Sequence, residues 1–191
     1  MKRIITIVLL AAFPAIAPAA TLYFRGTETI KVPNKKPFTD PVFVVLTTSD
    51  KKDSITQTIL RRHPTKKTAM VRDIAEFRKA LDGTWSAPLP SGAKAPPAVV
   101  SMAAGNVVSM NRVINFAGKK ANVTTTFPHP RVIQVEATLT DEKGAQIRTT
   151  SIDAGEVLET QYKTSILLFD IEDPKPAAAA PGSPAAAPQK K

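Results

Sequence analysis

Cysteine is absent from this 191-residue sequence, and histidine occurs only twice. The first absence excludes a disulfide framework, a thiolate metal site, a cysteine nucleophile and a lipid-anchored N-terminal cysteine. Two histidines exclude a multi-histidine metal site within one chain. Aromatic residues make up 6% of the sequence, and the lone tryptophan, Trp85, sits beside glycine and proline. Single-strand binders need aromatic stacking platforms, so nucleic acid is disfavoured as a partner. The eight glycines are well spread and form no phosphate-cradling loop. There is no G-x-S-x-G, no S-x-x-K with suitable partners and no H-E-x-x-H. His63 and His129 each precede proline, which biases them to extended backbone in turns. Asp170, Glu172 and Asp173 are hard oxygen ligands, but no turn glycine or ligand spacing accompanies them. The residues therefore predict no catalytic site, no metal, no cofactor and no enzymatic activity. No mature stretch reaches 18 apolar residues, so no membrane span is expected.

Both ends differ from the middle. Lys2 and Arg3, the apolar run Ile4 to Phe13, the break at Pro14 and the small residues Ala17-Pro18-Ala19 read as a signal peptide cleaved after residue 19. Ten apolar residues are too few to cross ~30 Å of hydrocarbon. A periplasmic or secreted location in a bacterial envelope follows as the expectation. Residues 174–191 are twelve-eighteenths proline or alanine. Repeated proline blocks a helix and no face can be buried, so a disordered tail is expected.

The middle alternates with period two. Ile133, Val135, Ala137 and Leu139 oppose Gln134, Glu136, Thr138 and Thr140, as in a half-buried strand. Asp141 to Gly144 and Ala117 to Lys120 read as hairpin turns. Val108, Met110, Ile114 and Phe116 share a face, and residues 121–127 return beside them. Val99 to Met102 and Val107 to Met110 suggest a further small hairpin. Strands are expected at about 21–32, 42–48 and 54–60. The continuous apolar run Val42 to Leu46 should be covered on both faces. Residues 145–152 return as a strand, 153–155 turn, and a long strand covers 157–171. One helix is expected at about 68–82, where Met70, Val71, Ile74, Phe77 and Leu81 recur at helical spacing. Residues 84–97 carry four prolines and read as a long surface loop. Each flank of that loop would be small alone, so 20–173 is read as a single domain. The fold class is mainly β: an antiparallel, immunoglobulin-like β-sandwich with one short helix. A partly open barrel is the alternative.

Charge is regional. Residues 20–130 carry 17 basic and 7 acidic groups, whereas 131–173 carry 4 and 9. The densest basic stretch holds Lys51, Lys52, Arg61, Arg62, Lys66, Lys67, Arg72, Arg78 and Lys79. These nine are the candidate binding residues for an anionic polymer such as lipopolysaccharide or a wall polymer. The leading functional expectation is different: a non-enzymatic envelope module that pairs with another envelope protein through an exposed sheet edge. The 21–32 segment is the candidate edge, with Gly26 marking a bulge. The anionic-polymer surface at 51–79 is the alternative. Neither reading specifies an oligomeric state.

Overall fold

The computed structural model describes residues 20–88, 97–104, 106–116 and 118–173, the Phe116 side chain excepted. The leader-like segment 1–19, residues 89–96 of the proline-rich segment and the tail 174–191 lie outside the described residues.

Period-two alternation builds most of the chain into strands. They are β1 (Thr21–Lys31), β2 (Phe38–Thr48), β3 (Ser54–Arg62), β4 (Ala69–Lys79), β5 (Trp85–Ser86), β6 (Pro97–Ala103), β7 (Asn106–Phe116), β8 (Lys119–His129), β9 (Val132–Thr140) and β10 (Gln146–Val157). A helix α1 (Glu159–Ile166) and a short strand β11 (Asp170–Glu172) follow. The strands are bonded in the order β4-β3-β2-β1-β10-β9-β8-β7-β6-β5, and β5 pairs back onto β4. Ten antiparallel strands thus close into a barrel. The expected immunoglobulin-like sandwich is corrected, and so is the partly open barrel. Sandwich and barrel share the same local alternation, and only the β4–β5 pairing, through Lys79↔Trp85 and Arg78↔Ser86, closes the ring.

Closure also corrects the expected edge strand. β1 is bonded to β2 from Thr21↔Thr47 to Ile30↔Phe38 and to β10 from Tyr23↔Val157 to Lys31↔Thr149. Its register is unbroken at Gly26, so no bulge lies there. Glycine is needed because β10 passes too close: a Cβ at position 26 would collide with the Asp153 carbonyl and Ala154 Cα. A bulge does occur in β7. Ser101 opposes Ser109 while Met102 opposes Val107, so Val108 has no partner and leaves the face of Met110.

The helix expected at 68–82 is strand β4. Both alternating phases of this segment carry apolar residues, and that mixture imitates helical spacing. Val71, Asp73, Ala75 and Phe77 face inward opposite Arg61, Ile59, Gln57 and Ile55 of β3. Met70 faces outward and is buried there. Pairing along all of β3 overrides the local pattern. The reverse substitution occurs at 157–171, where a strand was expected and α1 forms. Leu158, Tyr162 and Ile166 are four apart, a spacing that fits both periods. Gln161 Oε1 accepts the Leu158 N–H at 3.0 Å, and Lys163 Nζ lies 2.7 Å from Glu159 Oε1. Both contacts close only in a helix. The expected turn at 153–155 is the middle of β10, paired to β1 and β9 on either side.

The barrel interior is filled mainly by Phe24, Val44, Ile55, Phe77, Met110, Ile133 and Ile152. A smaller cluster lies outside, where α1 and β11 cover β1 to β4. Tyr162 stacks on Tyr23 at 4.8 Å and meets Phe43 at 6.0 Å, edge to face. This second layer is why the run Val42 to Leu46 is apolar on both faces. Elsewhere the outer wall mixes polar pairs with exposed apolar side chains such as Val99 and Val108. Asn111 bonds Thr124 at 2.8 Å, and Gln134 bonds Asp153 at 2.7 Å.

Candidate ligand site in the barrel interior

Inward positions are mostly apolar, yet the phase that places Phe24 and Met110 inside also places charged residues there. On β1 the inward series is Leu22, Phe24, Gly26, Glu28, Ile30. On β7 it continues from Met110 to Arg112 and Ile114. On β3 it ends at Arg61, and on β4 it includes Asp73. These four strands approach the same end of the barrel, because β1, β3 and β7 finish where β4 begins. That end is polar. The other end, lined by Phe24, Ile55, Phe77 and Val107, is not.

Arg61 Nε lies 3.5 Å from Glu28 Oε1, and its NH2 lies 3.8 Å from Asp73 Oδ2. One guanidinium therefore serves two carboxylates, at ion-pair distance but without hydrogen-bond geometry. Glu28 is 4% exposed, and its Oε1 accepts no hydrogen bond. Burial pushes its pKa up, against the opposing pull of Arg61 and Arg148, while Asp40 and Asp73 add to the rise. Arg112 is 6% exposed, and its Nε finds no acceptor. Burial pulls its pKa down and the nearby Arg61 adds to this, with Asp73 opposing. A guanidinium stays protonated in proteins, so Arg112 remains a buried cation. Between the two ends, Gln57 Nε2 donates to Thr125 Oγ1 at 3.0 Å across the lumen, and Gln57 Oε1 is left without a partner.

Several apolar groups stand beside Arg112 on the same inward face. Val123 opposes it on β8, and Ala98 opposes it on β6. Trp85 in turn opposes Ala98. A charge held among such neighbours is poorly screened, so an anion placed there would be attracted more strongly than at the surface.

The nine basic residues anticipated from sequence do not gather in one place. Lys51 and Lys52 lie in the β2–β3 turn, near Arg78 and Lys79 at the end of β4. Arg61, Arg62, Lys66, Lys67 and Arg72 lie at the other end of β3 and β4, roughly 25 Å away along the strand. Arg62 pairs with Asp40, Lys66 with Glu172, Arg72 with Asp173 and Arg78 with Glu76. Arg61 alone of the nine is placed in the interior cluster. Glu28, Asp73, Arg112 and Gln57 were missed by sequence reasoning. A signal was present: Arg112 is in phase with Met110 and Ile114, and Glu28 is in phase with Phe24 and Ile30. A charge in the apolar phase of a strand points into the core.

His63 and His129 cap turns. His63 Nδ1 accepts the backbone N–H groups of Thr65 and Lys66, and His129 Nδ1 accepts that of Arg131. Among the described residues, no three His, Asp or Glu side chains converge as a metal site.

No family model matches this chain, and no curated protein matches it. Among solved structures, an S-type phycobiliprotein lyase from Guillardia theta is similar in outline, with a TM-score of 0.42 and 10% identity over 75% of this chain and 88% of that one.

The expected non-enzymatic assembly module is corrected here. Its edge strand is bonded on both sides in the closed barrel, so it offers no free backbone for pairing. The alternative attached to it placed an anionic-polymer surface on 51–79, and in the barrel those residues divide between the two ends of β3 and β4. The expectation of no enzymatic activity is withdrawn as well. That expectation rested on missing sequence motifs, and the barrel brings Glu28, Arg61 and Asp73 together from three separate strands without one.

Proposed function

We propose that this barrel binds a small anionic molecule at its polar interior end, with Arg112 as the anchoring cation. The observation that carries this reading is the 6% exposed Arg112, whose Nε has no acceptor. A buried donor without a partner costs about 1–3 kcal/mol, and more when charged. An anionic group bound there offsets that cost and gains a charge-assisted hydrogen bond. The apolar neighbours Val123, Ala98 and Trp85 favour a ligand whose remaining surface is apolar. The leader-like residues 1–19 support a periplasmic or secreted setting for this binding.

Two probes with the same aromatic body test the reading: anilinonaphthalene sulfonate, which is anionic, and phenylnaphthylamine, which is neutral. Trp85, the one tryptophan in the sequence, is two strands from Arg112 and reports either probe by quenching. The sulfonate should bind at least about tenfold more tightly, the equivalent of one charge-assisted bond. Arg112→Met should bring it to the affinity of the neutral probe. Equal affinities in the wild-type protein, or an unchanged sulfonate affinity in Arg112→Met, would refute anion binding at this position.

A further inference from the structure

The charge arrangement around Arg112 bears on how the site stays neutral when it fills, an inference that rests on the anion-binding reading. Groups from six strands face the cluster. They are Glu28 on β1, Asp40 on β2, Arg61 on β3, Asp73 on β4, Arg112 on β7 and Arg148 on β10. Asp40 stands directly opposite Glu28 but is drawn toward Arg62, 3.6 Å away. Arg148 is exposed and acts on Glu28 through space. Arg61 is the shared partner: it lies 3.5 Å from Glu28 and 3.8 Å from Asp73, and its charge is felt at Arg112.

A third anion beside this guanidinium, already shared by two carboxylates, adds negative charge where solvent screens it poorly. One carboxylate must then take up a proton. Asp73 and Asp40 have side chains 44% and 28% exposed, and water stabilises their charge. The Glu28 side chain is 5% exposed and has an oxygen without a hydrogen-bond partner. We propose that an anion bound at Arg112 enters together with one proton, which is carried by Glu28, with Arg61 coupling the two positions. The proton leaves hydronium or a buffer acid in solution, whose bond to it breaks, and forms the O–H bond on Glu28. The donor's conjugate base stays in solution, and the net charge of the filled interior equals that of the empty one.

The test is calorimetric titration of the full chain with anilinonaphthalene sulfonate, in Bis-Tris and in Tris at the same pH, two cationic buffers of different ionisation enthalpy that bring no buffer anion to Arg112. The sulfonate keeps its charge throughout, so any proton exchanged with the buffer belongs to the protein. The expected wild-type result is uptake of up to one proton, with affinity rising as pH falls by at most tenfold per unit. Glu28→Gln should bind without that uptake and with a flat pH profile, while Asp73→Asn should keep the uptake. Arg112-dependent binding with no proton uptake overturns proton coupling and leaves the anion-binding reading standing. Uptake undiminished in Glu28→Gln overturns the assignment to Glu28. No binding of the probe overturns both inferences. If Glu28→Gln does not fold, the wild-type buffer comparison still decides proton coupling, and loss of the uptake in Asp73→Asn or Asp40→Asn overturns the assignment to Glu28.

Discussion

The two ends of the barrel interior are built by the same strands in the same alternation, yet they differ in what they bury. At one end Phe24, Ile55 and Phe77 fill the lumen, each at most 1% exposed. At the other, Glu28, Arg61, Asp73 and Arg112 share too few partners. The first end stabilises the fold by removing apolar surface from water. The second costs stability, because Arg112 and Glu28 each bury a polar atom that nothing satisfies. One interior thus separates a half that stabilises the fold from a half that costs stability.

Substitutions at the two ends should therefore act in opposite directions. Phe77→Ala, at the apolar end, should lose about 3–5 kcal/mol in urea unfolding, the usual cost of emptying a buried aromatic site. Gly26→Ala should come next, at the top of the roughly 1–3 kcal/mol range for overpacking, because the obstacle is the β10 backbone and cannot rotate away. Arg112→Met, at the polar end, should raise stability by about 1–3 kcal/mol while abolishing preference for the anionic probe. A loss of stability in Arg112→Met would erase the contrast between the ends.

The pH response sharpens the same contrast. The folded pKa of Glu28 is raised, so the stability linked to it is fully present below the unfolded value of about 4.3 and is lost as pH rises through the folded value. The slope in that window is at most about 1.4 kcal/mol per pH unit. Glu28→Gln should flatten it, as read from melting temperature against pH. A smaller effect is expected outside the barrel. Glu159→Ala removes an exposed i,i+4 pair with Lys163 and should lower the melting temperature least of the substitutions named here, and less still at high salt.

Much of the polar end was legible as pattern and not as a site. Arg112 falls in the apolar phase of its strand, as does Glu28 of its own. What the pattern lacked was the partner list, since β1, β3, β4 and β7 are far apart in sequence and meet only across the lumen. Arg61 was singled out for its position in a basic run. Its role in the fold comes instead from the inward phase it shares with Gln57 and Ile59. The remaining members of that run divide between the two ends of β3 and β4, because a nine-residue strand carries its termini far apart.

By itself, the sequence determined the local units. The hairpin turn at Asp141 to Gly144, the return strands on either side and the doubly covered run Val42 to Leu46 all follow from period, turn residues and hydropathy. Those are short-range properties, and neighbouring residues settle them. The tertiary structure alone decided three things. Residues 69–79 became a strand because β3 offered hydrogen bonds along its whole length. Residues 159–166 became a helix because Tyr162 had to cover Tyr23 and Phe43. The sheet became a barrel because Trp85 and Ser86 bridge β4 to β6. Each depends on a partner distant in sequence, and the energy of pairing and burial with that partner exceeds the small local preference it overrides.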